Sequence, residues 1–261
     1  MAFLIPYSVQ LTVVFVFGCV LGSFYNVVIC RLPARESIVW PGSRCPGCRH
    51  PIAFFDNIPL LSYLLLRGRC RHCQAVISAR YPLVEFLAGL LAALLFHMHG
   101  MSLQFLMDFF FTSLLLIIAF IDLDTFLIPD ILSLPGIVLG FGFSLFSIRI
   151  AWSDSLLGIF LGGGLFCLIA AGYRYLRHQE GLGVGDIKLL GMIGAFLGWP
   201  GVVFTIFVSS LTGSLVGFIA MWRSGKGMST MVPFGPFLSL GAVCYLFFGE
   251  GFFRWYWGYF S

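Results

Sequence analysis

Charge is scarce in this 261-residue chain: Asp, Glu, Lys and Arg together make up 10% of it. Soluble globular domains carry about 25% charged residues and about 45–50% apolar ones, whereas 59% of this chain is apolar. So little charge cannot give water a polar coat on every side, which points to lipid as part of the solvent. A G-x-G-x-x-G run behind a soluble strand is missing, so a Rossmann-type nucleotide site is not expected. Gly162-Gly163-Gly164 is not followed by the Lys and Ser/Thr of a phosphate loop and reads, like other glycines in apolar stretches, as close helix packing. The start of the chain lacks a positive n-region and a small-residue cleavage site, so residues 7–30 read as a retained first span rather than a signal peptide.

What is present is a series of long apolar runs. About 20 such residues cross a hydrocarbon core of about 30 Å. Beyond 7–30, runs lie near 81–99, 103–121, 128–148, 155–173, 187–199, 201–222 and 233–257. The sixth is short and ends at Trp199-Pro200, which fits a tilted helix or a tight helical hairpin with the seventh. The expected fold is therefore an all-α polytopic membrane protein of about eight transmembrane helices. Its parts are a first transmembrane helix (1–30), a small cytoplasmic metal-binding domain (31–80) and a seven-helix membrane domain (81–261). Basic residues test this topology, because cytoplasmic loops are enriched in them. Of the 15 Lys and Arg, only Arg149 and Arg254 fall on one face. The others, among them Arg31, Arg80, Arg174, Arg177, Lys188, Arg223 and Lys226, fall on the opposite face. Both termini are then expected outside the cytoplasm. The +4 net charge reports topology, and no nucleic-acid partner is expected.

The segment 31–80 holds Cys45-Pro46-Gly47-Cys48 and Cys70-Arg71-His72-Cys73. Two C-x-x-C pairs at this spacing suit a tetrahedral thiolate zinc site. A reducing cytoplasm disfavours disulfides, and four thiolates leave no open position for chemistry, so the expected Zn2+ is structural. A segment of about 50 residues has a thin core and needs such a staple. His50 and His72 are read as surface or supporting residues rather than ligands. Cys19, Cys30, Cys167 and Cys244 read as small apolar residues of the spans.

Carboxylates at the ends of spans are costly and are candidates for function. One cluster is Ile121-Asp122-Leu123-Asp124 with Ile128-Pro129-Asp130, and another is Gly183-Val184-Gly185-Asp186-Ile187-Lys188. Peptide hydrolysis needs a base to activate water and an acid for the leaving amine, and two aspartates sharing a proton supply both. Glycines before Asp186 permit unusual backbone angles and close approach of another chain. Pro129 suits a first helical turn. Helix-start residues stabilised by the helix dipole are the competing reading of Asp124, Asp130 and Asp186. Lys188 either tunes the carboxylates or snorkels to the interface. Glu36, Asp56 and Glu180 read as solvated charge or as receivers of a basic peptide. Asp108 reads as an interhelical hydrogen-bonding group, His97 and His99 as interfacial residues, and Trp255-Tyr256-Trp257 as an aromatic belt.

Taken jointly, these motifs resemble the bifunctional type IV prepilin peptidases. The likeness starts with Gly22-Ser23-Phe24-Tyr25-Asn26-Val27-Val28-Ile29 and Arg31-Leu32-Pro33. It continues through the two cysteine pairs, Asp56-Asn57-Ile58-Pro59, Leu66-Arg67-Gly68-Arg69, Ile77-Ser78-Ala79-Arg80-Tyr81-Pro82 and Leu83-Val84-Glu85, and ends on the two aspartate clusters. The resemblance implies cleavage of the basic leader of prepilins or pseudopilins at the cytoplasmic membrane face. It implies methylation of the new N-terminal residue with S-adenosylmethionine. It implies catalysis by Asp122 and Asp186, and by motif position it suggests Gly68 and Glu85 for methyl transfer. For Glu85, an ion pair with Arg80 or an interhelical hydrogen bond is the alternative. The implied setting is the bacterial cytoplasmic (inner) membrane, with the bilayer and the prepilins as partners and the active sites facing the cytoplasm. Two other readings remain: a peptidase whose zinc domain is only a structural or docking module, and a carboxylate-dependent transporter, which would place its acidic groups at broken helices near the bilayer midplane.

Overall fold

The computed structural model describes residues 6–147, 149–177, 183–224 and 232–258. Glu180 and Lys226 lie outside the described residues, as do the side chains of Arg177, Arg223, Arg254 and the run Trp255-Tyr256-Trp257. The described residues form helices joined by turns, with two isolated bridges and no strand. The chain packs as two units, 1–117 and 118–261, and the division falls inside one helix.

In the first unit, α1 (Tyr7–Arg31) lies against α3 (Arg80–His99). Small residues four apart make this possible. A Cβ on Gly18 would lie 2.7 Å from the Ala88 carbonyl oxygen, and one on Gly22 would lie 2.7 Å from the Cα of Glu85. The two backbones therefore touch along a small-xxx-small seam, which favours association where no hydrophobic effect drives it. Polar bonds fix the register: Asn26 donates to the Tyr81 carbonyl at 3.0 Å, and Tyr25 donates to Ser113 at 2.7 Å. Ser113 belongs to α4 (Leu103–Thr125), which also carries the buried Asp108. Gln104 donates to Asp108 at 3.0 Å and His99 lies 3.2 Å from it, so the carboxylate does link α3 and α4.

Between α1 and α3 sits a compact module with a 3-10 turn (Phe54–Asn57) and the short α2 (Leu61–Leu65). Two knuckles of the same design carry its cysteines. In one, the Cys45 N–H donates to the His50 carbonyl and the Arg49 N–H to the Cys45 carbonyl. In the other, Cys70 and Gln74 donate to the Ala75 and Cys70 carbonyls. Bridges Arg44–Pro51 and Arg69–Val76 close the two loops. Arg49 and Gln74 hold the same left-handed conformation, at φ 58° and 57°.

The second unit begins with the end of α4 and continues through α5 (Asp130–Ser144), α6 (Trp152–Ile159), α7 (Phe166–Arg177), α8 (Val184–Ser224) and α9 (Gly235–Gly258). A π-helical segment, Phe160–Leu165, joins α6 to α7. Its glycines let it press on α8, where a Cβ on Gly162 would lie 2.5 Å from the Leu190 carbonyl oxygen. Gly158 and Gly194 meet backbone to backbone in the same way, and Ser155 donates to the Ala195 carbonyl at 2.8 Å. At Gly198 (φ 72°, ψ −180°) α8 departs from helical geometry, two residues before Pro200. The expected border between the sixth and seventh spans falls at this break.

Among the described residues, five helices are long and apolar enough to cross a membrane: Tyr7–Arg31, Arg80–His99, Leu103–Thr125, Trp152–Tyr175 and Val184–Trp222. Asp130–Ser144 and Gly235–Gly249 are apolar but shorter. The architecture is thus all-helical with five candidate spans, fewer than the eight expected. The difference lies at Asp130–Ser144, which is short, at α9, of which Gly235–Gly249 is the apolar stretch described, and at Gly198, where two expected runs follow one another with no loop between them.

Candidate active site and metal centre

Asp122 lies in the last turn of α4 and Asp186 in the first turn of α8, and both belong to the second unit. Asp122 is 4% exposed and Asp186 half-buried. Three glycines shape the surroundings of the two carboxylates. A Cβ on Gly185 would lie 3.0 Å from the Cβ of Ile128, so its absence lets the α4–α5 loop close on α8. A Cβ on Gly183 would lie 2.8 Å from Oδ2 of Asp186, so the carboxylate can fold back over its own turn. Gly235, at the start of α9, donates its N–H to Oδ2 of Asp122 at 2.8 Å, and a Cβ there would lie 2.7 Å from the same oxygen. A helix N-terminus is a natural donor to a carboxylate.

The other acidic residues of these clusters are placed apart. Asp124 and Asp130 are exposed, and Pro129 caps α5 so that Asp130 opens it. Lys188 donates to Asp130 at 2.6 Å and clamps α8 to the start of α5. Lys188 is therefore an ion-pair partner within the fold. Gly235 is the residue that sequence reasoning missed. The run Pro233-Phe234-Gly235-Pro236 ahead of the last apolar stretch was the available signal, since it marks a helix start with a free amide.

In the module of the first unit, the sulfurs of Cys45, Cys48, Cys70 and Cys73 all lie within 4.8 Å of one another, and those of Cys45 and Cys73 are 3.7 Å apart. Four thiolates around a tetrahedral ion with bonds of about 2.3 Å lie about 3.8 Å apart, so the quartet could hold a metal ion as it stands. Its thiols differ in acidity. Backbone amides of Cys73 and His72 bring the Cys70 thiol down to about 6. For Cys73 the Ala75 amide pulls down, yet burial and hydrogen bonds to Cys48, Cys70 and Cys45 outweigh it and hold the thiol up at about 11. His50 and His72 lie against each other with ring centres 3.6 Å apart and planes inclined by 40°, and stand outside the quartet. Asp56 is gripped by Arg71 through contacts of 2.6–3.1 Å, and those bonds hold its carboxyl below the usual value.

Glu85 is 9% exposed and accepts a hydrogen bond from the Leu60 N–H at 2.8 Å, with Ser23 as a second partner. Arg80 instead donates to the Cys30 sulfur at 3.1 Å. Gly68 takes φ 66°, and a Cβ there would lie 2.9 Å from the Tyr63 hydroxyl. Both residues thus shape the segment 60–68.

Fold and site define a class: a helical protein with membrane-length helices, a four-cysteine cluster that could hold a metal ion, and two carboxylates at helix ends of one unit. Residues 16–99 match the bacterial peptidase A24 N-terminal domain, and residues 109–218 match the type IV leader peptidase family. The chain belongs to the type IV leader peptidase family. It is 36% identical over 274 residues to a prepilin leader peptidase/N-methyltransferase of Burkholderia pseudomallei (strain 1026b), covering 95% of this chain and 89% of that protein. It is 37% identical over 269 residues to one of Aeromonas hydrophila, covering 94% and 93%. With one of Myxococcus xanthus (strain DK1622) it shares 40% over 213 residues, covering 81% and 63%. No solved structure matches the chain.

Proposed function

We propose that this chain cleaves the basic leader from type IV prepilins or pseudopilins at the cytoplasmic face of the bacterial inner membrane and then N-methylates the new N-terminal residue. The observation that carries the peptidase reading is the placement of Asp122 and Asp186 at helix ends of the same unit, with the Gly235 amide on Asp122. In this reading about eight helical segments cross the bilayer, with the Gly198 break separating two of them and both termini outside the cytoplasm.

The pair shares one proton, because two close carboxylates do not both ionise cheaply. The ionised member takes a proton from water, which attacks the scissile carbonyl. The protonated member donates to the developing oxyanion, and a proton then passes to the leaving amine. The Gly235 amide orients Asp122. The apolar helix of the substrate runs beside the spans while its leader stays at the membrane edge.

Cys45, Cys48, Cys70 and Cys73 would hold Zn2+, whose contribution is to close the module around its two knuckles. S-adenosylmethionine supplies an electrophilic methyl group for the N-terminal amine. Gly68 and Glu85 are assigned to shaping the edge of that second site.

The test is cleavage of a purified prepilin by the wild type and by the Asp122→Asn and Asp186→Asn variants, at equal metal content. Each variant is expected to lose at least about 10²-fold, the scale of a positioned general acid or base. A near-wild-type rate in either variant sinks the pair.

A further inference from the structure

The metal module carries an apolar face that its own fold does not cover. Leu61, Leu64 and Leu65 stand at i, i+3 and i+4 of α2, one side of a helix, and are 58%, 69% and 81% exposed. The adjoining 3-10 turn adds Phe54, 86% exposed. Large residues grouped in this way mark a contact surface.

One hydrogen bond ties this face to a membrane-length helix. Leu60, held at φ 62°, donates its N–H to Glu85 at 2.8 Å. Glu85 lies five residues into α3, a helix long and apolar enough to span a bilayer. At 1.5 Å per residue, that is about 7 Å below the helix start. Interfacial helices bury their apolar faces about 5–10 Å into the headgroup–acyl boundary, so α2 begins at the level where lipid would receive it.

Charge names the lipid. Arg67 and Arg69 follow α2 directly and are exposed, with no acidic partner among the described residues. Segment 31–80 holds eight arginines against Glu36 and Asp56, and Asp56 is taken by Arg71. A surface so basic suits lipid phosphates and repels a basic peptide.

We propose that Leu61, Leu64 and Leu65 form a wedge that seats the metal module on the anionic headgroup layer of its own membrane, with Arg67 and Arg69 on lipid phosphates and Glu85 as the latch that sets the depth. The surface is independent of the Asp122 and Asp186 reading, while Glu85 and Gly68 adjoin the proposed methyl-transfer site.

The test places the full-length, metal-loaded protein in phosphatidylcholine nanodiscs containing or lacking phosphatidylglycerol. Probes are phosphatidylglycerol and phosphatidylcholine with a photoreactive group near the glycerol end of an acyl chain, and labels are mapped by mass spectrometry. Residues 60–69 are expected to label with the anionic probe well above the knuckle 44–51. Leu64→Gln with Leu65→Gln should cut that labelling severalfold while metal content is unchanged. Arg67→Gln with Arg69→Gln should lower the preference for the anionic probe by roughly fivefold per arginine, from the ~1 kcal/mol each contributes near an anionic surface. Residues 60–69 staying unlabelled while the ends of α1 and α3 label would overturn the wedge. Equal labelling by both probes would overturn the anionic contact. Labelling displaced by an added prepilin would assign the face to substrate instead.

Discussion

Asp122 and Gly235 are joined by one hydrogen bond of 2.8 Å across 113 residues of sequence. That bond makes Gly235 a positioning residue for the carboxylate. Gly235→Ala puts a methyl group 2.7 Å from Oδ2 and must turn the side chain. A misplacement of about 1 Å near reacting atoms costs up to about 10²-fold, so kcat for leader cleavage should fall by roughly that factor while KM changes little. A mainly raised KM would show instead that Gly235 serves substrate binding. The Asp56–Arg71 pair has a pH signature of its own. The folded pKa of Asp56 is depressed, so its contribution is present above the unfolded value, 3.8, and is lost as pH falls through the folded value. Asp56→Asn should therefore loosen segment 31–80 at neutral pH, seen as a modestly faster limited proteolysis. The difference from wild type should vanish in strong acid, and a difference that grows on acidification would contradict the pairing.

Elements in this chain meet through glycine. Gly158 of α6 and Gly194 of α8 leave no room for a Cβ on either side, because each would run into the other's backbone. Gly194→Ala should destabilise the second unit by about 1–3 kcal/mol, the usual cost of overpacking, read as a lower unfolding temperature in detergent. Gly142 on α5 has nothing within 4 Å of its Cβ position and is the internal control. Gly142→Ala should be neutral or slightly stabilising, and equal losses in the two variants would mean that the Gly158–Gly194 contact is not what sets the cost. The two cysteine knuckles follow the same economy of parts: one turn design is used twice, 25 residues apart, and faces its sulfurs inward.

At the scale of the whole molecule, the carboxylate pair belongs to the unit 118–261 and the thiol quartet to the unit 1–117. Under the proposed function the two chemistries should therefore separate. Asp122→Asn should block leader cleavage yet still methylate a pilin supplied with its leader already removed, measured by transfer of labelled methyl. Cys45→Ser should lose the bound metal and lower methylation far more than cleavage. Equal loss of both activities in both variants would mean that they share one site.

Several properties were determined by sequence alone, because each is local or additive. Apolar run length produced α1 and α3 to within a residue and the start of α4, which runs four residues further to Thr125, since a helix in lipid must satisfy its backbone within itself. The C-x-x-C spacing produced the quartet, because two knuckles can reach one ion whatever surrounds them. Long-range contact decided the rest. That Asp122, rather than its neighbour Asp124, is buried and bonded to Gly235 depends on how α9 starts. The pairing of Lys188 with Asp130, of Asp56 with Arg71 and of Glu85 with Leu60 joins residues 58, 15 and 25 positions apart. Hydropathy placed a border near Trp199-Pro200 but could not fix its residue, since no polar loop separates the two runs and the break is made by the backbone at Gly198. Periodicity tells which residues leave water; which of them then meet is settled by the close approach of helices at their glycines.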